Sequence, residues 1–132
     1  MSEKTDAPPT SKTYNGGCHC GAVDFTVKLA PPLEEQAVMS CNCSICACHG
    51  YLFVYPDGDD VTFHKGRDEL KVYTFGRETI KHSFCPTCGT SVLGEPIDSA
   101  TYGGKLGVNA RTFRDVDLNA LKLTHYDGKS RV

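Results

Sequence analysis

The strongest single motif of this chain is Cys85-Pro86-Thr87-Cys88-Gly89. Two cysteines separated by two residues give two thiolates to one ion, and tetrahedral zinc takes four ligands. The proline pre-sets the turn, and the glycine permits a positive φ, so that backbone N–H groups can point at the sulfur atoms.

Upstream, Gly17-Cys18-His19-Cys20-Gly21 is a tighter half-site of the same kind. We therefore predict one closed, structural zinc site that pins the N-terminal segment to the middle of the chain. Its ligands are Cys18, Cys20, Cys85 and Cys88; the alternative is that these are unligated core cysteines.

A third cluster, Cys41-Asn42-Cys43-Ser44-Ile45-Cys46, offers three thiolates from one short loop. Three protein ligands with one open position are typical of catalytic zinc, whereas four are typical of structural zinc. The predicted ligands are Cys41, Cys43 and Cys46. Cys48 and His49 are both candidates for a fourth ligand, and the sequence leaves that choice open. Cys48 can also be interpreted as a small buried residue at the start of the next strand, or as a reactive thiol beside the metal.

Length, cysteine count and net charge restrict the classes of protein to which this chain can belong. The 132 residues fit one domain, and eight cysteines without an apolar secretory segment favour metal binding in a reducing compartment over disulfides. We expect a cytoplasmic protein. The net charge of −2 argues against nucleic acid and against a polybasic membrane anchor as partners, and no apolar run reaches transmembrane length.

Strand-like patterns fill most of the chain after a polar tail, predicted to be disordered, at 1–12. Alternation over 22–29 predicts a strand with Val23, Phe25, Val27 and Leu29 on one face. Further strands are predicted at 35–40, 50–55, 61–64, 70–75, 79–84, 90–93 and 105–108, and a helical turn only at 116–121. The aromatic residues of the 50–55 strand are predicted to lie in the core on one face and to be partly exposed on the other, without forming a binding platform; they are Tyr51, Phe53 and Tyr55. The prediction is a single all-β domain over 13–132.

The order of the cysteine motifs resembles the glutathione-dependent formaldehyde-activating enzyme family, also called the centromere-protein-V-like family. The similar segments are 17–21, 41–46, 84–90, 107–112 and 126–129, so that the resemblance spans about 13–130. It implies a small zinc-bound β-tent of two antiparallel sheets with little helix. It also implies two zinc ions per chain, one held by the outer four cysteines and one by Cys41, Cys43 and Cys46. The chain departs from the family pattern at Cys48, where a non-sulfur residue is usual.

The resemblance implies a carbon–sulfur lyase that reversibly adds the thiol of glutathione to formaldehyde, or a related thiol to a small carbonyl, giving S-hydroxymethylglutathione in the first case. A zinc with three thiolates is a weak Lewis acid but readily deprotonates an incoming thiol, and a donor must then protonate the developing alkoxide. His49 is the candidate for that proton transfer, with Ser44 nearby in the loop, while His19 is predicted to face outward. Glutathione's carboxylates require basic side chains. The sequence offers, without choosing among them, Arg67, Arg77, Lys81, Arg111 and Arg114.

The alternative function is a non-catalytic zinc module that binds a protein partner. In that case both metals are structural, and the middle cluster has four protein ligands. A replaceable fourth ligand favours the enzyme.

Overall fold

A computed structural model describes residues 10–76, 78–97 and 104–131 of the chain. Within these ranges the chain forms two β-sheets, one short α-helix and several single turns of 3-10 helix, which confirms the predicted mostly-β fold. The helix is α1 (Ser44–His49). The strands are β1 (Lys12–Gly17), β2 (Asp24–Leu29), β3 (Ala37–Cys41), β4 (Phe53–Val54), β5 (Val61–Lys65), β6 (Lys71–Tyr73), β7 (Ile80–Phe84), β8 (Ser91–Pro96), β9 (Gly107–Asn109) and β10 (Lys122–Tyr126).

The smaller sheet has the order β1-β2-β5 and is antiparallel throughout. The predicted alternation around β2 is confirmed, because its apolar face is buried: Val23, Phe25, Val27 and Leu29. β1 and β2 pair from Lys12 opposite Leu29 to Gly17 opposite Asp24. The turn between the two strands therefore carries the first pair of cysteines. Lys12 already belongs to β1, inside the predicted tail, whereas residues 1–9 lie outside the described part of the chain.

The larger sheet has the order β10-β3-β4-β9-β8-β7-β6. All its pairs are antiparallel except β3 with β10, which run parallel from Lys122 opposite Ala37 to Tyr126 opposite Cys41. The expectation of two purely antiparallel sheets is wrong at this pair. Parallel pairing is open to strands joined by a long connection, and here it brings the C-terminal segment alongside Cys41.

One hydrophobic core joins the two sheets. Side chains of the smaller sheet, such as Phe25, and side chains of the larger sheet, such as Leu93 and Val108, belong to the same buried cluster. Cys18 and Cys85 are also part of it. Replacing a ring such as that of Phe25 by Ala would cost about 3–5 kcal/mol of stability, because the rigid surroundings would leave a cavity.

The segment after the third cysteine cluster differs from the prediction of a strand at 50–55. Residues 44–49 form α1, which ends where Gly50 adopts the left-handed conformation at φ 69°, and only Phe53 and Val54 are in a strand. The interpretation of Cys48 as a buried residue at a strand start is wrong, since it is exposed on the helix. The helical turn predicted at 116–121 is present as one 3-10 turn over Leu118–Ala120.

Candidate metal centres

The first centre gathers the four sulfur atoms of Cys18, Cys20, Cys85 and Cys88, which all lie within 4.8 Å of one another. The Sγ atoms of Cys18 and Cys20 are 3.5 Å apart, and those of Cys20 and Cys85 are 3.7 Å apart. A zinc tetrahedron with bonds of about 2.3 Å has sulfur–sulfur edges of about 3.8 Å. The spacing and the soft donor set therefore fit zinc.

Backbone and hydroxyl donors surround these sulfur atoms. The Val23 N–H donates to Cys18 Sγ at 3.3 Å, and Thr90 Oγ1 lies 3.2 Å from Cys88 Sγ. The Thr90 hydroxyl and then backbone N–H groups lower the pKa of Cys88 to about 5. Gly89 has the positive φ that its place after the second ligand requires. The turn thus favours the thiolate form that a metal binds.

The second centre gathers the sulfur atoms of Cys41, Cys43 and Cys46, again within 4.8 Å of one another. Cys41 ends β3, Cys43 caps α1, and Cys46 lies in the first turn of that helix. Burial raises the pKa of Cys43, but hydrogen bonds from the Cys46 backbone and side chain outweigh it, so the pKa is lowered. Burial and the neighbouring Cys43 raise the pKa of Cys46 well above its ordinary value. A divalent cation would balance the negative charge that these crowded thiols resist carrying alone.

Neither sequence candidate for a fourth ligand joins this group. Among the His, Cys, Asp and Glu residues that the structure describes, only the three cysteines share the 4.8 Å cluster. Cys48 lies two residues beyond Cys46 on α1, about 200° around the helix axis, and is exposed. His49 instead places its Nδ1 2.6 Å from Ser91 Oγ and stacks on the ring of Tyr51.

The C-terminal segment holds the metal loop from the other side. The Asn42 N–H donates to the Tyr126 carbonyl at 3.0 Å, and its side-chain amide donates to Asp127 Oδ1 at 2.9 Å. The Lys129 N–H in turn donates to Asn42 Oδ1 at 2.8 Å. A Cβ on Gly128 would lie 2.5 Å from Cys41 Sγ, so this position has space for glycine alone. Residues 126–129 thus form a clasp on the loop, a role that sequence reasoning missed.

A cavity of about 520 Å³ lies beside the three sulfur atoms. Most of its other lining is apolar or aromatic: Met39, Phe53, Tyr55, Ile80, Pro96 and Tyr126. Phe53 and Tyr55 thus line a cavity, at positions where the sequence predicted no binding platform. Because β4 is only two residues long, Tyr55 lies beyond the strand with 47% of its surface exposed.

His82 is a lining residue that sequence reasoning missed. It is 7% exposed, and its Nδ1 lies 3.4 Å from the hydroxyl of Tyr51. Burial raises the pKa of Tyr51 to about 12, so the phenol keeps its proton. Burial, and then the charge of His49, lower the pKa of His82, so its ring is neutral at neutral pH. A neutral imidazole both donates and accepts hydrogen bonds. The sequence feature that could have identified His82 is its position in the predicted 79–84 strand, three residues before Cys85.

Of the basic residues proposed for glutathione's carboxylates, the four that the structure describes are not in the lining of this cavity. Arg67 and Lys81 lie near Glu95, at 3.4 and 3.9 Å. Arg114 pairs with Asp24 at 3.0 Å, and Arg111 donates to the Gly50 carbonyl; Arg77 lies outside the described residues.

Lys105 is the one cation among the lining residues that the structure describes, and its Nζ lies 3.0 Å from Asp57 Oδ1. Arg111 instead borders a separate cavity of about 470 Å³ together with Cys48 and His49. Two of the sequence candidates for the reaction, His49 and Arg111, therefore lie in a different cavity from the three sulfur atoms.

Comparison with known proteins agrees with this architecture. A family model described as glutathione-dependent formaldehyde-activating enzyme matches residues 13–125. The fold is similar to the crystal structure of a Rhodobacter sphaeroides protein, with a TM-score of 0.69 and 30% sequence identity. That match covers 83% of this chain and 99% of the other. In the described ranges no helix has the length and apolarity needed to cross a membrane.

Proposed function

Because the chain belongs to the glutathione-dependent formaldehyde-activating enzyme family, we propose that it is a zinc-dependent carbon–sulfur lyase joining a glutathione thiol to a small carbonyl compound. The observation that carries this proposal is the group of three cysteine sulfur atoms beside a cavity, with no fourth protein ligand among the described residues. We assign two zinc ions per chain. The first is held by Cys18, Cys20, Cys85 and Cys88, and the second by Cys41, Cys43 and Cys46. A reducing compartment such as the cytoplasm would keep these thiols available.

The reaction is an addition with no change in oxidation state. A carbon–sulfur bond forms, the carbonyl π bond opens, and the thiol proton ends on the carbonyl oxygen. Zinc at the second centre, when bound, would supply the positive charge that favours the thiolate form of the incoming thiol. The reverse reaction breaks the same carbon–sulfur bond and returns the proton to sulfur.

We assign the proton-transfer role to His82 in place of His49. In the tautomer that we assign, His82 Nδ1–H donates to the Tyr51 hydroxyl, 3.4 Å away, so that the free Nε2 of the neutral ring takes the thiol proton and then passes it to the alkoxide. His82 lines the cavity beside the three cysteines, whereas His49 borders the other cavity. Tyr51 positions the ring, and the apolar walls keep bulk water from competing for the alkoxide.

The activity test uses exchange NMR to measure how fast the glutathione–formaldehyde adduct forms and breaks down. We expect the zinc-loaded protein to accelerate exchange above the spontaneous rate. Cys43→Ser should abolish the acceleration, and Cys48→Ser should keep it, because Cys48 is exposed and outside the sulfur cluster. No acceleration by the wild-type protein with any small carbonyl, in zinc-replete samples, would leave the partner-binding module as the better account.

The role of His82 is tested by a matched pair of histidine changes. His82→Phe should lower kcat by about 100-fold or more, the usual contribution of general acid–base catalysis, whereas His49→Ala should have little effect. The pH profile of kcat should lose its acid limb in the His82 variant, which loss of packing alone would not cause. The opposite ranking of the two variants would return the role to His49.

A further inference from the structure

The cavity beside the second centre is much larger than formaldehyde requires. Formaldehyde is little larger than a water molecule, whose share of liquid volume is about 30 Å³. The cavity measures about 520 Å³, within the range of pockets that enclose ligands of considerable size. A substrate that fills it needs a substantial substituent next to the reacting carbon.

The walls determine the chemistry of that substituent. Phe53 and Ile80 both lie close to Gly94, where a Cβ would be 3.3 Å from the Phe53 ring and 3.6 Å from Ile80. Missing side chains at Gly94 and Gly107 leave the Phe53 ring exposed to the space, because a Cβ at either would lie 3.3 Å from it. Beyond the three sulfur atoms, the polar side-chain groups of the described lining are those of His82 and Lys105 and the hydroxyls of Tyr55 and Tyr126; the remaining lining is apolar or aromatic.

Glutathione's own charged groups do not match these walls. Its two carboxylates and its ammonium group would lose their hydration there and gain few partners, which is costly. Lys105 is half-exposed and held by Asp57, so it offers one carboxylate an attraction at the mouth. The charged parts of the thiol therefore belong at the mouth, and the apolar interior is left to the other reactant.

We propose that the carbonyl substrate carries an apolar alkyl or aryl group, which lies against Phe53 and Ile80 while the thiol's charged groups stay at the mouth near Lys105. This rests on the proposed function, because the three sulfur atoms define where the reacting thiol enters. The reaction keeps the same balance: the carbon–sulfur bond forms, and the thiol proton ends on the aldehyde oxygen. No oxidant or reductant takes part.

Unreactive analogues of the adduct test this inference without turnover. The affinities of S-methyl-, S-propyl- and S-hexylglutathione for the zinc-loaded protein would be measured by isothermal titration calorimetry. We expect Kd to fall about fourfold for each methylene group buried, until the cavity is filled. Kinetically, kcat/KM should be higher for the glutathione adduct of hexanal than for that of formaldehyde.

A matched pair of isoleucine changes shows where the chain binds. Ile80→Asn should remove most of the dependence on chain length, because Ile80 lines the cavity. Ile97→Asn should keep it, because Ile97 is 54% exposed and not part of the lining. Zinc content and thermal unfolding of both variants would establish that each is folded.

The outcomes separate this inference from the lyase proposal. Equal affinity across the S-alkyl series, or an undiminished dependence in Ile80→Asn, would overturn the apolar substrate. If accelerated exchange of the formaldehyde adduct persists beside such a flat series, the lyase stands without it. A steep series with no acceleration for any carbonyl would overturn the lyase, and with it the assignment of this cavity to a reacting aldehyde.

Discussion

The two cysteine centres have the same donor chemistry but different places in the fold. The first joins the β1–β2 turn to the β7–β8 turn, across 65 residues between Cys20 and Cys85, and two of its cysteines lie in the main core. The second takes all its cysteines from one short segment, at a smaller cluster next to a cavity. We expect a site that ties distant segments to contribute to folding and a local site to be free to serve chemistry. On this view, ligand spacing along the chain predicts the effect of metal removal at each centre.

The largest effect is expected at the first centre. Cys85→Ser or Cys18→Ser should prevent folding, because structural zinc provides about 10–16 kcal/mol of apparent binding energy and a domain's whole stability is about 5–15 kcal/mol. Circular dichroism and zinc analysis of the purified variants would measure this. Cys48→Ser is the matched control, since Cys48 is exposed and outside both sulfur clusters. A fully folded Cys85→Ser protein would show that the first centre is not structural.

A smaller effect on folding is expected at the second centre. Cys43→Ser should leave a folded protein that has lost one of its two zinc ions, because α1 and the clasp hold the loop without help from a distant ligand. Native mass spectrometry would give the zinc count, and thermal unfolding would give the stability. Equal loss of folded protein in Cys43→Ser and Cys85→Ser would remove the distinction between the two centres.

A substitution in the clasp should weaken metal binding at the second centre alone, and by less than the loss of a cysteine ligand. Gly128→Ala places a methyl group against Cys41 Sγ, so we expect zinc affinity there to fall about 10–100-fold, as for other groups that orient metal ligands. Competition with a chromophoric chelator would measure both sites. Leu123→Ala, at an exposed position of β10, is the control. An affinity loss of the same size at the first centre would refute the local action of the clasp.

The smallest predicted effect is on stability, at a hydrogen bond between β1 of the smaller sheet and Glu34. The Tyr14 hydroxyl donates to Glu34 Oε1 at 2.7 Å and lowers the pKa of that carboxyl. A lowered pKa stabilises the fold above the ordinary Glu pKa, and this contribution disappears as pH falls through the lowered value. Glu34→Gln should cost at most about 1 kcal/mol at neutral pH, because Glu34 is partly exposed, and the two proteins should converge in acid. A difference that grows in acid would contradict this sign.

Sequence reasoning succeeded where the information is local. The spacing of Cys85 and Cys88 around a proline turn predicts a two-ligand half-site directly, and alternation around Phe25 predicts a buried strand face. Among contacts between distant segments it predicted the grouping of Cys18 and Cys20 with Cys85 and Cys88, where the donor chemistry marks both partners. It missed the parallel β3–β10 pair, the clasp at Gly128 and the cavity position of His82, because long-range pairing without such a marker leaves little sequence signal. The helix α1 was missed because a six-residue helix with an apolar, cysteine-rich sequence has too little periodicity to stand apart from a strand.

The central claim is that the second centre has three protein ligands and accepts a thiol, while the first is closed. Its most direct test is a glutathione titration of the cobalt-substituted protein, following the d–d and thiolate charge-transfer bands. We predict a saturable change at about one equivalent of glutathione per chain, absent in Cys43→Ser and retained in Cys48→Ser. No change, with spectra of two closed four-sulfur sites, would contradict the claim and indicate a zinc module that binds a protein partner.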